Sequence, residues 1–532
     1  MNQKQGLLKS AGIISIAVAV SRVTGLMRES VLSWLFGAGA IFDAYVLGYR
    51  IPNMARELLA EGALASAFVP TFTRYLATKT KEETRELSDI VGTLLIAITG
   101  TLCALGMIFS PAFVNLFAPG FHATPGKFEL AVQLVRIMFP FLMLIALSAQ
   151  AQGILNTCHR FGVPAVSASL FNIGSIAFGL TLGYWLGPYI GITTVQGMAL
   201  GVVFGGACQL AFQLPSVWRT GFGWRPRWNL RHEGVRQILG LMGPAAIASA
   251  SVQVNVLVNT NFAASLRDAA GHVLNGPVSW LSYAYRFQQL PVGLLGIPIA
   301  SATLPRISHS AARGDLGEFR DVLAHSIVMI LLTTIPASVG LAVFGESMIG
   351  IVYQHGRFLA SDTHQTAVAL SCYAVGLAGF AVLKLLAPAF YALGDSRTPM
   401  LVSMAAVAVN AATAFTTVRV LGIGHAGLAL SLSVVSLFNA LTLAFLMRAR
   451  IGGIRGREIA VRFAKIAIAA GVMGLICMLV DRTVQSRALK VVVGVPLGVV
   501  VFYGAGSLLD VPEMAEARGL VLRKFRNLRR RG

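Results

Sequence analysis

The chain contains little charge and few acidic residues. Only 12% of its 532 residues are Asp, Glu, Lys or Arg, and 55% are hydrophobic, whereas about 25% of the residues in soluble globular domains are charged. The five cysteines lie far apart, in a spacing that suits neither a disulfide framework nor a metal site. The nine histidines show no metal-ligand pair at helical spacing. The composition therefore argues against a soluble domain and against a metal centre.

Long apolar runs are present along the whole chain. A helix that crosses a bilayer needs roughly 20 mostly apolar residues, so the sequence predicts an all-α polytopic membrane protein with about fourteen transmembrane helices. The predicted spans are 8–36, 42–75, 88–117, 129–156, 163–186, 192–217, 236–266, 276–305, 321–345, 366–393, 399–419, 425–447, 460–480 and 488–509.

The basic residues are concentrated in alternate loops. The formal net charge is +21, and roughly 29 of the 43 Lys and Arg residues fall on one side if the spans alternate. This positive-inside bias predicts that both termini are cytoplasmic. The same distribution argues against nucleic-acid binding, and we expect the basic tail to contact anionic lipid headgroups. Loops on the other side are short, so the activity is expected inside the membrane.

Two proline signatures recur at one offset. Pro70 and Pro305 each end a span before a basic loop, Pro164 and Pro399 each follow a loop, and both pairs are 235 residues apart. The alternative is that proline is simply common at the ends of membrane helices. Six spans separate the copies, so we predict two six-helix lobes related by a pseudo-two-fold axis along the membrane normal. The predicted division is 1–220 for the N-lobe, 221–452 for the C-lobe, 453–510 for two extra helices and 511–532 for a basic tail.

The first two spans contain charges that a bilayer disfavours. A charge at the bilayer centre costs about 2.5–3.5 kcal/mol on insertion scales, so such residues should face a cavity or a partner. Four residues of span two lie at spacings of seven, seven and four, which places them on one stripe of a helix. These four are Asp43, Arg50, Glu57 and Glu61. In span one, helix phase turns Arg28 away from Glu29.

Span eight has an arginine within its apolar run and is rich in proline. Pro291, Pro298 and Pro305 predict a bent or broken helix, which membranes tolerate where it lines a cavity. Span eight is the counterpart of span two, so charges from both lobes are expected to meet at one cavity. Guanidinium groups match phosphate oxygens bidentately, and we expect an anionic, phosphate-bearing substrate. The arginines of this predicted cavity are Arg22, Arg28, Arg56 and Arg286.

Other polar residues are expected to support or gate this cavity. The acids of the stripe should hold the arginines in place, and structural ion pairs that lock helices are the alternative, which weighs most for Glu29, Arg50 and Glu61. For Lys384 in span ten a structural role is favoured over a coupling route. The amides of span seven should bridge helices, with cation coordination as the alternative. They are Gln253, Asn255, Asn259 and Asn261.

Six stretches resemble those of the MurJ (MviN) family of lipid II flippases. They are "SRVTGLMRE", "FGAGAIFDAY", "RIPN", "AEGALASAFVP", "GILNTCHRFGVPA" and "LAPAFYALGDSRTP". The family belongs to the multidrug/oligosaccharidyl-lipid/polysaccharide exporter superfamily. The resemblance implies two six-helix lobes and two helices that form a lipid-tail groove. It also implies alternating-access transfer of undecaprenyl-pyrophosphate-linked peptidoglycan precursor from the inner to the outer leaflet of the bacterial inner membrane.

The resemblance further implies roles for particular residues. The family's substrate-binding arginines correspond to the four named above, and its first-lobe acid corresponds to Asp43. Two positions depart from the pattern, since Glu57 and Tyr285 stand where many members have Arg and Asp. The resemblance therefore does not supply a salt-bridge partner for Arg286. No cofactor is implied, although a coupling ion or the membrane potential could reset the carrier. The expected partners are lipid II, membrane lipids and the cell-wall synthesis machinery.

Three other functions remain open on the sequence alone. Another flippase or a drug exporter of the same superfamily is the first, although drug exporters usually take cations and the predicted cavity is positive. A membrane enzyme acting on polyprenyl phosphates would need clustered acids for Mg²⁺ or a nucleophile with an acid and a base. No such motif is present, so we expect no enzyme. A scaffold without transport would not need the buried charges.

Overall fold

The computed structural model of the chain describes residues 3–58, 64–268 and 270–514. These residues are helical almost throughout, apart from loops and one isolated β-bridge. The helices are α1 (Gln3–Phe36), α2 (Ala40–Arg56), α3 (Ala65–Thr78), α4 (Lys81–Ile108), α5 (Ser110–Phe117), α6 (Lys127–Met138), α7 (Phe141–Thr157), α8 (Gly162–Leu180), α9 (Gly187–Ile190), α10 (Thr194–Trp218), α11 (Glu233–Ala264), α12 (Pro277–Pro291), α13 (Ile297–Ala312), α14 (Leu316–Tyr353), α15 (Ala360–Val375), α16 (Leu377–Ala392), α17 (Arg397–Phe415), α18 (His425–Arg450), α19 (Gly456–Thr483) and α20 (Arg487–Leu508).

Every predicted span coincides with one helix or with consecutive helices. Within the described residues, ten helical segments are long and apolar enough to cross a membrane, or eleven if α15 and α16, which meet at 44°, form one bent span. The spans outside this count are those of α1, of α2 with α3, and of α11, each of which includes side chains that are not described. The all-α multi-pass architecture is confirmed, and the count of fourteen is not.

The first compact unit is Met1–Ser279. Within it, α8 packs against α1 and α10, and α2 packs against α6. The helix α11 belongs to this unit because it packs against α3, α4 and α5. Packing therefore divides the chain after α11, whereas the repeat predicts a boundary between residues 220 and 221. The division into lobes stays a prediction.

The second compact unit is Trp280–Gly532, of which residues 515–532, most of the predicted basic tail, lie outside the described part. Its apolar core includes Phe319, Phe344 and Phe390. The two extra helices, α19 and α20, pack against each other and against α14. Their other faces expose large apolar side chains such as Leu475 and Val492, as expected of helices that face lipid.

The two copies of the predicted repeat share a local irregularity. Pro164 and Pro399 lie in the first turns of α8 and α17. Each of these helices continues into a π-helical turn, at Thr181–Trp185 and at Thr416–Val420, again 235 residues apart. π-Helical turns are rare, so this agreement supports the repeat. The two-fold relation between lobes stays a prediction.

Span eight, which was predicted to be bent or broken, is one helical span interrupted by a π-helical turn. The helix α12 ends at Pro291, a π-helical turn follows at Val292–Gly296, and α13 begins at Ile297. Span two shows the same feature, because Glu57 and Leu58 adopt π-helical geometry after α2. Glu57 lies 235 residues before Val292. Both spans thus lose regular α-helix geometry next to their charged residues.

Candidate substrate-binding and gating sites

Arg28 is a buried arginine whose hydrogen-bonding capacity is largely unused. It lies on α1 with 6% of its surface exposed. Its Nη2 atom donates to Oε1 of Glu29 at 3.2 Å, so the two residues pair although they are adjacent on the helix. Its Nε and Nη1 atoms are buried and have no hydrogen-bond partner among the described residues. Buried donors without acceptors are unfavourable, and an anion placed here would supply those acceptors.

Two aromatic rings fix the position of the Arg28 guanidinium. Its Cζ atom lies 5.5 Å from the centroid of the Tyr49 ring and 5.2 Å from that of Phe171. Phe141 packs against both rings, at centroid distances of 5.9 and 5.4 Å. Cation–π attraction holds a guanidinium without using its N–H donors. The sequence analysis missed these rings, because an aromatic residue in an apolar span gives no signal of the cation it faces.

The other arginines of the predicted cavity have different surroundings. Arg22 is exposed on α1 and has no ion-pair partner in the described part of the chain. Arg56 donates from Nε to Oδ1 of Asn53 at 2.8 Å and lies 3.8 Å from a carboxylate oxygen of Glu57. Arg286 is exposed on α12 in the second unit, and its convergence with the other three stays a prediction.

Lys384 and Glu61 are the remaining residues with predicted supporting roles. Lys384 is exposed on α16, which is consistent with a snorkelling side chain. Glu61 lies outside the described residues.

The charged stripe of α2 forms hydrogen bonds to α11. Nη1 of Arg50 donates to Oγ1 of Thr260 at 2.6 Å, and Nε2 of Gln253 donates to Oε2 of Glu57 at 2.9 Å. Arg50 and Glu57 are seven residues apart, as are Gln253 and Thr260, and the two helices run in opposite directions along these contacts. Each pair therefore lies on one face of its helix. We call these two contacts the polar ladder. The predicted bridging role of Gln253 is confirmed.

Asp43 lies on the same stripe near the beginning of α2, and its carboxylate is saturated. Its Oδ2 atom accepts from Nζ of Lys127 and from the backbone N–H of Gly276, both at 2.8 Å. Its Oδ1 atom accepts from the backbone N–H and the hydroxyl of Ser279, at 2.9 and 2.5 Å. Gly276 and Ser279 flank the start of α12, where unpaired N–H groups favour a carboxylate. Asp43 thereby ties α2 to the segment before α12.

Lys127, which the sequence analysis missed, is the cation of this cluster. Its side chain and that of Asp43 are 2% and 1% exposed, and its Nζ atom also donates to Oδ1 of Asn275 at 2.9 Å. The expectation that Asp43 holds an arginine was wrong, because Lys127 occupies the position of its cation. One feature of the sequence could have pointed to Lys127: basic residues are scarce on the predicted outer side. The assignment of Asp43 to substrate binding stays a prediction, and its saturation argues against it in this conformation.

The helical segments and their hydropathy define a polytopic membrane protein. The fold is shared with a multidrug transporter of the MATE family and MOP superfamily, solved in an inward-facing conformation, at a TM-score of 0.66 and 17% identity over 82% of this chain and 96% of that one. In the described residues no group of three or more His, Cys, Asp or Glu side chains could hold a metal ion.

The chain belongs to the lipid II flippase MurJ family, whose family model matches residues 32–495. It is 33% identical to the lipid II flippase MurJ of Burkholderia cenocepacia, over 85% of this chain and 84% of that protein. It is 34% identical to the probable lipid II flippase MurJ of Vibrio cholerae, over 81% of each. A solved lipid II flippase MurJ in an inward closed conformation matches with a TM-score of 0.76 and 25% identity, over 93% of this chain and 98% of that one. The family consists of transporters, not enzymes, and the resemblance seen in the sequence is confirmed.

Proposed function

We propose that this chain is a lipid II flippase, which moves the undecaprenyl-pyrophosphate-linked precursor from the inner to the outer leaflet of the bacterial inner membrane by alternating access. The observation that carries the proposal is the buried Arg28 guanidinium, with two nitrogen atoms that lack partners. A pyrophosphate offers several acceptor oxygens, and charge-assisted bonds to a planar fork are strong and directional. Membership of the MurJ family supports the same assignment.

Arg28 is the central anion ligand in this mechanism. Because Tyr49 and Phe171 fix its guanidinium, little conformational entropy is lost when a phosphate binds. The ion pair with Glu29 offsets part of the positive charge, which keeps binding weak enough for release. Arg22, Arg56 and Arg286 add positive charge around the headgroup.

Asp43 and the polar ladder act as gates. With both termini in the cytoplasm, α2 begins at the outer face, so the Asp43 cluster closes the outer end of the path. Opening requires Asp43 to exchange the N–H groups of Gly276 and Ser279 for water. The ladder joins charged to neutral groups, and such bonds contribute about 1.5–3 kcal/mol each. Bonds of this strength hold one conformation and still allow α11 to separate from α2.

The remaining expectations from the sequence belong to the same proposal. The polyprenyl tail runs along α19 and α20, whose exposed apolar side chains suit lipid contact. A coupling ion or the membrane potential resets the empty carrier, since moving one charge is worth about 2.3 kcal/mol per 100 mV. The chain works beside the enzymes of cell-wall synthesis, which use its product.

The deciding experiment measures lipid II exposed on the outer leaflet. A bacterium depleted of its own flippase is supplied with this chain or with Arg28→Ala, and exposed lipid II is labelled after rapid inactivation. The wild-type chain should maintain the exposed pool, and Arg28→Ala should lose it at equal protein abundance. An exposed pool that is indifferent to the presence of the wild-type chain would refute the proposal.

A further inference from the structure

The segment 218–231, which connects α10 to α11, is basic and aromatic and contains no acidic residue. We call it the Trp-Arg segment. Trp218, Trp224 and Trp228 are 59%, 50% and 63% exposed, and residues 222–229 have no regular secondary structure. Its four arginines are exposed. Of these, only one forms an ion pair in the described part of the chain, between Arg227 and Glu86 at 3.5 Å. The remaining three are Arg219, Arg225 and Arg231.

Although it lacks regular structure, the segment is tied to α4. Oδ1 of Asp89 accepts from the backbone N–H of Arg225 at 3.0 Å. Oγ1 of Thr93 accepts from the backbone N–H of Arg227 at 3.0 Å and from the Trp224 indole at 3.3 Å. The bonds from Arg225 and Arg227 use backbone N–H groups, so the guanidinium group of Arg225 remains available for other contacts, whereas that of Arg227 pairs with Glu86.

Asp89 and Thr93, the two residues of α4 that hold the segment, indicate its depth in the membrane. Asp89 is the last charged residue of α4, and the residues from 90 to 109 that follow it, up to the start of α5 at Ser110, are uncharged. This helical stretch is about 30 Å long at 1.5 Å per residue. This length equals the thickness of the hydrocarbon core, about 30 Å. Asp89 therefore lies at the edge of the core and Thr93 just inside it. The segment is held at the depth where lipid phosphates lie and where indole rings are favoured.

We propose that the Trp-Arg segment is a binding surface for anionic phospholipid headgroups, held at the hydrocarbon boundary by Asp89 and Thr93. The unpaired guanidinium groups bind lipid phosphate and the exposed indoles lie among the headgroups. Since the segment connects α10 to α11, lipid bound there holds the connection in place on the predicted inner leaflet. This surface is separate from Arg28 and its aromatic rings.

The test compares two double variants of the full-length chain in detergent. Arg225→Ala with Arg231→Ala removes two arginines of the segment. Arg160→Ala with Arg236→Ala removes two exposed arginines of the same unit, on the same predicted side and outside the segment. The probe is dihexanoyl-phosphatidylglycerol, with dihexanoyl-phosphatidylcholine as the zwitterionic comparison. The apparent dissociation constant is obtained from the rise in the thermal unfolding midpoint with lipid concentration.

The wild-type chain should prefer phosphatidylglycerol, and this preference should weaken in high salt. Each basic side chain near an anionic surface contributes about fivefold in affinity, so the segment variant should bind roughly 30-fold more weakly. The control variant should retain wild-type affinity. Equal responses to the two lipids, as expected if the surface serves a protein partner, would overturn the proposal. Unchanged affinity in the segment variant would also overturn it, because the lipid would then bind elsewhere, including at Arg28.

Tryptophan fluorescence tests the location independently. Trp228 and Trp185 are both 63% exposed, but Trp185 lies in the π-helical turn after α8, outside the segment. A nitroxide on the phosphatidylglycerol headgroup should quench fluorescence more than the same label on phosphatidylcholine. Trp228→Phe should reduce this excess quenching, part of which comes from Trp218 and Trp224, and Trp185→Phe should leave it unchanged. Loss of the excess only in Trp185→Phe would contradict the assignment.

Discussion

Arg28 and Asp43 are both buried charges of the first unit, yet one lacks partners and the other is saturated. Two nitrogen atoms of Arg28 have no partner among the described residues, whereas each carboxylate oxygen of Asp43 accepts two hydrogen bonds. A buried charge must be compensated for its lost hydration. The protein itself compensates Asp43, and a ligand can compensate Arg28. The difference distinguishes a site that fastens segments together from the site that we propose binds substrate.

The largest effect is expected at Arg28, whose Nε and Nη1 atoms have no hydrogen-bond partner among the described residues. Arg28→Ala should abolish growth when it replaces the flippase of a depleted bacterium, because the central phosphate donor is gone. Arg28→Lys keeps the positive charge but lacks the planar fork. Its transport rate should fall on the order of tenfold, as expected for the loss of one charge-assisted bond. Growth and outer-leaflet lipid II are the measurements, with membrane abundance determined in parallel.

Glu29→Gln is the matched control, because its side-chain oxygen can still accept from Arg28. It should be tolerated better than either Arg28 variant. Wild-type growth with Arg28→Ala, or a stronger defect in Glu29→Gln, would show that the roles of the two residues are assigned wrongly.

The next largest effect is expected on stability at the saturated site. Lys127→Met leaves the carboxylate of Asp43 buried without its cation, which should lower the free energy of unfolding by about 3 kcal/mol. The backbone N–H bonds of Gly276 and Ser279 keep the loss near the lower end of the usual range. Unfolding of the purified chain in detergent measures it.

Two comparisons sharpen this prediction. Adding Asp43→Asn to Lys127→Met removes the unpaired charge and should restore most of the lost stability. Lys79→Met changes an exposed lysine and should have almost no effect. If the double variant were less stable than Lys127→Met, the pair would not be the source of the effect.

A smaller effect is expected in the polar ladder, where a charged group bonds to a neutral one. Thr260→Val removes the hydroxyl that accepts from Arg50 and should destabilise the first unit by about 1.5 kcal/mol, the lower end of the range for a bond to a charged group. Thr99→Val is the control, since Thr99 is buried and its hydroxyl bonds only within α4. Equal unfolding midpoints for the two variants would argue against a ladder that holds α11 on α2.

The smallest effect is expected at Asp395, a solvated carboxylate that contrasts with Asp43. Hydrogen bonds from the backbone N–H and hydroxyl of Thr398 lower the pKa of Asp395. A carboxylate whose pKa is lower in the folded protein than in the unfolded chain stabilises the fold at pH values above its pKa in the unfolded chain. This contribution is lost as the pH falls through the pKa of the folded protein. Thr398→Val should therefore lower the unfolding midpoint above about pH 4, and the difference should shrink in stronger acid.

Ser396→Ala, a change at an exposed neighbour, is the control and should show no such pH dependence. A difference between wild type and Thr398→Val that grows on acidification would contradict the assigned sign.

Much of the fold and part of the site could be predicted from local sequence. Apolar runs predicted where the helices lie, the prolines of span eight predicted an irregular helix there, and the seven-residue spacing predicted that Asp43, Arg50 and Glu57 share a face. Each of these signals acts over one or a few turns of a single helix. The predicted count of fourteen spans is not confirmed, because ten or eleven helical segments within the described residues are long and apolar enough to cross a membrane.

The sequence by itself determined that this is a helical membrane protein with costly charges in its first two spans, because hydropathy and helical periodicity are properties of neighbouring residues. Only the tertiary structure decided which charges are satisfied. Lys127 is 84 residues from Asp43, and Ser279 is 236 residues from it. Phe171, which faces Arg28, is 143 residues from it in the sequence. A partner at such a separation leaves no trace in local periodicity, since packing alone brings it within hydrogen-bonding distance.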